Sequence, residues 1–406
     1  MSVWRLRDFD RLFLAAIGTI LVAGVCVVFS ACQGEEFSLG SDLWQKQILF
    51  ALLGLVVFAA CATVPFVLWE RVSPFLYVAS IVLLVAVLVA GSSAGGAQRW
   101  FLIGDFRFQP SELAKLATVL LLARTLAGRR RPADNVLALA VPALIVLVPT
   151  AVVLRQPDLG SALVFLVALP PMLYWSGVPF HYLLLASSPV ISVLCASSLP
   201  SWIAFTLFLL GLSYFSRALL LERILFVALS VIAGIVTPLL WGQLEPYQQQ
   251  RIVAFLDPAQ YSSGAGYQII QSKVAIGSGG LTGMGFLEGT QKGLAFLPAR
   301  HTDFVFSVVG EEFGFAGTMT VLALFTFLIV RGFRIAAAAR DPFASLTAVG
   351  ILSMLAFQMF VNIGVTVGLV PVTGLPLPIF SYGGTSMIAS MAGLGIVLGI
   401  GLRRRL

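Results

Sequence analysis

The chain has 406 residues, of which 59% are hydrophobic and 11% charged, with a mean hydropathy of +0.99 and a formal net charge of +7. Soluble domains are closer to half apolar and a quarter charged, so this composition excludes a soluble enzyme, a disordered chain and a collagen-like fibre. It leaves an all-α polytopic membrane protein. The apolar residues come in unbroken runs rather than in alternation, which argues against a membrane β-barrel.

In chain order, apolar segments lie at 11–31, 47–65, 74–91, 111–127, 136–154, 160–177, 182–198, 202–216, 224–241, 304–330, 344–362 and 384–402. Each is long enough to cross a hydrocarbon core, with 202–216 at the lower limit. Twelve spans are expected, or ten if 182–216 is a re-entrant or interfacial pair. Either even number puts both termini on one side. With the N-terminus in the cytoplasm, the cytoplasmic segments collect 16 of the 25 Lys and Arg residues but only 6 of the 18 acids. The positive-inside rule favours that orientation, with both termini cytoplasmic. The net charge is then a topology signal beside anionic lipid, and no nucleic-acid partner is implied. The first apolar run is long enough to span, so no removable signal is expected.

The stretches 92–109 and 242–303 then face outwards, away from ATP. No Gly-Lys-Ser/Thr phosphate loop and no paired-Cys or His-rich metal motif occurs. Cys26, Cys32, Cys61 and Cys195 read as small buried hydrophobes. No internal repeat of the transporter kind stands out.

Polar residues at membrane depth are costly and usually functional, and here they gather in four clusters. The first is Gly-Gly-Ala-Gln-Arg-Trp at 95–100, followed by Phe-Gln-Pro-Ser-Glu-Leu-Ala-Lys at 108–115. Pro110 can open a helix, with Glu112 in its first turn and Lys115 on the same face. This is either a capped helix start with an internal ion pair or the polar wall of an outward cavity. Trp100 suits an interface belt equally well. The second cluster is Arg-Gln-Pro-Asp-Leu-Gly-Ser at 155–161. Asp158 there can cap the next helix or pair with Lys115 or Arg155.

The third cluster is the long outer loop. It holds Arg251, then Tyr-Gln-Ile-Ile-Gln-Ser-Lys at 267–273, a glycine-rich run at 277–285, and Arg-His-Thr-Asp at 300–303. Residues 267–276 alternate at roughly helical spacing and are expected to lie along the membrane surface. Asp303 begins the next span, with Glu311 and Glu312 two turns deeper. It is either the N-cap of that helix or a general base or cation ligand at a membrane mouth. The fourth cluster is Asn362, then the Pro- and Gly-rich stretch 371–386 with Ser381. Such a broken segment must be covered by protein or line a cavity.

These four clusters, in this order, resemble the SEDS family of cell-wall polymerases (RodA and FtsW). The matching stretches are 95–115, 156–161, 251–317 and 371–386. Gly-Ala-Gln-Arg-Trp at 96–100 and Arg300 before His301, Thr302 and Asp303 look more like the elongation branch, RodA, than the division branch. The usual member has ten spans, so the apolar material around 182–221 reads as an extra helical pair inside a single integral membrane domain, 1–406.

The resemblance implies a peptidoglycan glycosyltransferase that polymerises lipid II into β-1,4 glycan strands at the outer face of the bacterial cytoplasmic membrane during elongation. The family's essential loop Asp matches Asp303, which would deprotonate the acceptor hydroxyl. Arg251, Lys273, Arg300 or a bound divalent cation (Mg or Mn) would neutralise the departing lipid pyrophosphate. Glu112, Lys115 and Asp158 would shape the cavity. Arg99, Trp100, Gln271, His301, Thr302 and Ser381 complete the substrate-binding set. The implied partners are lipid II, a class B penicillin-binding protein, rod-complex proteins and membrane lipid. Two rival readings use the same residues: a lipid II flippase, and a non-catalytic scaffold for the penicillin-binding protein.

Overall fold

The computed structural model describes residues 10–32, 42–94, 97–104, 106–128, 136–215, 220–258, 265–289 and 301–403. These residues form fourteen helices and one small sheet. The helices are α1 (Arg11–Cys32), α2 (Leu43–Thr63), α3 (Phe66–Ala90), α4 (Pro110–Ala127), α5 (Val136–Arg155), α6 (Leu159–Trp175), α7 (Phe180–Cys195), α8 (Leu199–Phe215), α9 (Leu220–Gly242), α10 (Pro246–Leu256), α11 (Ala265–Ser278), α12 (Val305–Ala338), α13 (Pro342–Val367) and α14 (Gly384–Arg403). Each of the twelve apolar segments falls on one helix, because unbroken apolar runs satisfy their backbone internally only as helix.

Helices α1, α2, α3, α5, α9, α12, α13 and α14 are long and apolar enough to cross a membrane, while α6, α7 and α8 are shorter apolar helices. Helix α4 has 18 residues and carries Glu112, Lys115 and Arg124. The chain is an all-α, multi-pass membrane protein.

The last two helices form the spine. In the most apolar stretches of α13 and α14, 67% and 83% of the residues are buried. Small residues let α14 lie directly on α2. A Cβ added at Gly395 would run into the Phe58 carbonyl, and one at Gly399 would sit 2.7 Å from that of Ala62. Close backbone approach of this kind is the usual source of helix association in lipid, where hydrophobicity supplies no drive. Around the spine, α4 and α6 pack on α13, and α1 packs on α12.

The stretch 92–109 contains a feature the sequence reading did not anticipate. Strands β1 (Ser92–Ala94), β2 (Ala97–Ile103) and β3 (Phe106–Phe108) make an antiparallel meander between α3 and α4, with Ser92 opposite Trp100 and Phe101 opposite Phe108. The strands are too short to give a period-2 signal. The meander holds Arg99 and Trp100 in register beside α3.

In the long stretch after α9, the described helix α11 packs on α12 and α13. The helical spacing at 267–276 corresponds to α11. Its Ser272 hydroxyl lies 2.6 Å from that of Ser307 in α12 and donates to the Thr366 carbonyl of α13 at 2.6 Å. The glycine-rich run then enters a break in α12 at Gly314, where φ is 63°. Met284 and Gly285 donate to the carbonyls of Glu311 and Glu312, both at 3.0 Å. Phe315 and Ala316 donate back to Gly280 and Leu281 at 2.9 and 3.1 Å. The four bonds satisfy the backbone groups that the break frees.

Helices α7, α8 and α9 form a satellite group. Helices α8 and α9 pack on α7 and on each other, and α7 connects the group to α6.

Candidate active site around Asp303

Asp303 lies in the turn 301–304, one residue before the N-cap of α12. That cap is Phe304, and no side chain caps the helix. The capping alternative for Asp303 is therefore corrected: the N-cap position belongs to Phe304. The Asp303 carboxylate flanks Gly374, together with Arg251. A Cβ at Gly374 would lie 3.9 Å from Asp303 Oδ2 and 3.9 Å from Arg251 Nη1. Gly374 has φ +75°, a left-handed backbone angle that favours glycine. Burial pushes the Asp303 carboxyl up to about 6, against the opposing pull of Arg251 and of a hydrogen bond from Thr302.

Three elements fix this pair. Helix α10 brings Arg251, whose Nη1 donates to the Val372 carbonyl at 3.3 Å. Helix α13 brings Asn362, whose amide donates to the Asp303 carbonyl at 3.1 Å and to the Leu375 carbonyl at 2.9 Å. It thereby joins the Asp303 turn to the Pro- and Gly-rich segment 368–383. That segment is non-helical as far as Gly383, α14 taking up the expected loop's last three residues, and it is partly buried. Ser381 is buried in it. Its hydroxyl accepts from Leu377 N at 2.9 Å, and its carbonyl accepts from Gln47 at 3.2 Å. His301 sets its ring edge-on to Tyr382, 5.8 Å between centroids, and its carbonyl accepts from Tyr382 N. Two buried oxygens beside this assembly, Asn362 Oδ1 and Thr373 Oγ1, have no hydrogen-bond partner among the described residues.

A second cluster sits at the corner between α5 and α6. Asp158 caps α6 through Ser161 N at 3.1 Å and also accepts from the Ser161 hydroxyl at 2.9 Å. Its charged partner is Arg99, at 3.9 Å, rather than Lys115 or Arg155. Arg99 also donates to Gln156 O at 3.2 Å and to Pro157 O. Gln109 reaches Asp158 Oδ2 at 3.4 Å.

Glu112 and Lys115 lie on the first turns of α4, where Glu112 N donates to the Gln109 carbonyl at 3.2 Å. They are buried and joined at 2.7 Å. With Gln358 of α13 and Ser390 of α14 they line a cleft walled by Leu116, Ile351 and Met354. The expected i,i+3 pair is present, and it faces a cleft as well. Lys273 lays its ammonium over Gly368, the left-handed residue that ends α13, where a cation is favoured. Trp100 is half-buried in β2, and Gln271 is half-buried on α11. Arg300 lies outside the described residues. Among the described residues, no three His, Cys, Asp or Glu side chains converge to hold a metal ion.

Sequence reasoning missed Tyr247, which bridges the two clusters, and the cleft residues Gln358 and Ser390. Gln358 and Asn362 are amides one turn apart in an apolar helix, and that cost at membrane depth was an available signal. Tyr247 carried none, since it stands in a polar run at the start of α10.

Comparison with known proteins agrees across the whole chain. The family model described as "Cell cycle protein", which covers FtsW, RodA and SpoVE, matches residues 10–199 and 185–406. The peptidoglycan glycosyltransferase MrdB of Escherichia coli K12 is 39% identical, over 100% of this chain and 96% of its own. A solved structure titled "Structural coordination of polymerization and crosslinking by a peptidoglycan synthase complex" superposes with a TM-score of 0.75 at 33% identity, covering 98% of each chain. The crystal structure of the rod shape determining protein RodA of Thermus thermophilus superposes with a TM-score of 0.65 at 31% identity, also covering 98% of each chain. The chain belongs to the FtsW/RodA/SpoVE family, whose members are the SEDS proteins.

Proposed function

We infer that this chain is a peptidoglycan glycosyltransferase that polymerises lipid II, with Asp303 as its general base. The activity follows from the name carried by full-length relatives. The role of Asp303 is supported by one observation above the rest. A half-buried carboxylate, one residue before the N-cap of α12, flanks the same glycine as a guanidinium, and desolvation pushes it up to about 6. General bases work best with a pKa near the operating pH.

In this reading Asp303 takes the proton of the acceptor sugar hydroxyl as that oxygen bonds to the donor's anomeric carbon. The bond from that carbon to the pyrophosphate oxygen breaks, and lipid pyrophosphate leaves. A single displacement inverts the α-linked donor into a β-1,4 bond. Arg251 is the cation placed to meet the developing negative charge. Lys273 is held at the end of α13 and plays a lesser part. The Arg99–Asp158 corner and the Glu112–Lys115 cleft shape the space for substrate, with the undecaprenyl chain lying against apolar helices.

The distribution of basic residues supports cytoplasmic termini and an active site on the outer face. That face is where a class B penicillin-binding protein would cross-link the strand. The FtsW/RodA relatives support a role in elongation, shared with rod-complex proteins. Helices α7 and α8 are the segment added to the usual ten spans. A divalent cation remains compatible with the pyrophosphate chemistry.

The test is purified chain, alone and with its class B penicillin-binding protein, given labelled lipid II. A glycan ladder from wild type that is missing from Asp303→Asn is the expected result. Ladder formation at the wild-type rate by folded Asp303→Asn overturns the assignment of the base.

A further inference from the structure

We infer that Tyr247 is a positioning residue for the reaction: its ring holds the Arg251 guanidinium beside Asp303, and its hydroxyl anchors that ring to the Arg99–Asp158 corner. The inference rests on the reading of Asp303 as the base.

Both ends of the side chain are engaged. The hydroxyl donates to the Pro157 carbonyl and accepts from Arg99 Nη2 at 3.0 Å. Arg99 is in turn held by Gln156 O and Asp158. The phenol end is thereby fixed to the corner between α5 and α6, on elements remote in sequence from α10. The ring faces the other way. Arg251 follows Tyr247 by four residues on α10, so the two share a helix face. The Arg251 Cζ lies 5.7 Å from the ring centroid, within cation–π reach.

Arginine on a half-exposed helix has many rotamers, most of them pointing to solvent. The aromatic face and the Val372 carbonyl leave the one in which Nη1 flanks Gly374 opposite Asp303. Among the described residues, the charged group acting on Asp303 is Arg251. From its own turn, Thr302 contributes a hydrogen bond, and His301 is engaged with Tyr382. From α13, Asn362 contributes only its neutral amide, on the Asp303 carbonyl. Moving Arg251 away therefore leaves burial unopposed by charge, and the base should titrate higher.

The experiment uses the full chain and labelled lipid II, with turnover followed as a function of pH for wild type, Tyr247→Phe, Tyr247→Leu and Asp303→Asn. Tyr247→Phe keeps the ring but loses its anchor, and should move the acid limb by less than Tyr247→Leu does. Tyr247→Leu should move that limb up by about 1 pH unit, the usual influence of one nearby opposite charge. Its kcat should fall about tenfold, with a smaller change in KM, because the lost contact serves the reacting groups. If Tyr247→Leu does not purify folded, Tyr247→Met takes its place, filling the volume without an aromatic face.

A folded Leu or Met variant with the wild-type limb and kcat overturns the inference. So does Tyr247→Phe if it shifts the limb as far as Leu does. A wild type with no acid limb, or an active Asp303→Asn, fails differently: it removes the base itself and with it any role for Tyr247.

Discussion

Two regions of this protein bury polar groups among apolar helices, and they do so in opposite ways. In the satellite group, polarity is closed. The Ser188 and Ser230 hydroxyls lie 2.7 Å apart, Ser192 donates to the Ser230 carbonyl at 2.6 Å, and Trp202 donates to Ser192 at 3.0 Å. Tyr182 donates to Glu222 at 3.0 Å. These groups answer one another and tie α7, α8 and α9 together. Around Asp303 polarity is open. Asn362 Oδ1 and Thr373 Oγ1 are buried with no partner among the described residues, and the Asp303 carboxyl is pushed up by desolvation. Buried polar atoms that find no partner are uncommon and call for a reason. A closed seam is explained by packing, and an open cluster by a ligand that arrives later.

That contrast can be broken experimentally, beginning with the largest effect. Asp303→Asn should lose polymerisation by at least about 100-fold, the lower end of what a general base contributes. The same variant should melt at a higher temperature than wild type. The Asp303 pKa is raised in the fold, so its charged form costs stability as pH rises above its unfolded value, and the amide removes that cost. A loss of activity accompanied by a lower melting temperature would mean unfolding instead of chemistry.

Arg251→Gln comes next. It should cut turnover by about tenfold or more and move the acid limb upwards, because the guanidinium is the charge that opposes burial at Asp303. A limb that stays in place would separate Arg251 from the base.

Glu112→Gln should act mainly on stability. It leaves Lys115 buried without its partner, a change that typically costs about 3–5 kcal/mol. Thermal unfolding in detergent measures this, and the loss in ladder formation should be smaller than that of Asp303→Asn. An equal loss would place Glu112 in contact with substrate. The smallest effect is expected in the closed seam. Ser230→Ala should cost about 1 kcal/mol and leave the polymerisation rate unchanged. A change in rate would show that the satellite group takes part in turnover.

Much of the architecture was legible in the sequence because lipid imposes a simple rule on backbone. Every apolar run had to be helix, and all twelve are. The break at Gly314 and the docking of residues 279–285 into it were not legible, since glycines license many conformations and do not name the partner. The meander at 92–108 was hidden for a similar reason: strands of three and seven residues carry too little alternation to read. At the site, Asp303 stood out by its place at a membrane mouth and by the family resemblance. Arg251 was one of several cations that could serve it. The fold sets Arg251 beside Gly374 and draws Lys273 to the end of α13, while Arg300 lies outside the described residues. Asp158 shows the limit of spacing arguments. Its cap on α6 followed from local sequence, but its ion pair with Arg99 crosses from a strand to a helix corner and depends on the meander.

The most direct measurement is the pH dependence of kcat/KM for lipid II polymerisation by the wild-type chain, from about pH 5 to about pH 8, a range that brackets the general base. The expected profile falls on the acid side with an apparent pKa of about 6, as the Asp303 carboxylate takes up its proton. A profile that stays flat down to the lowest pH, from protein that remains folded there, would contradict Asp303 as the base.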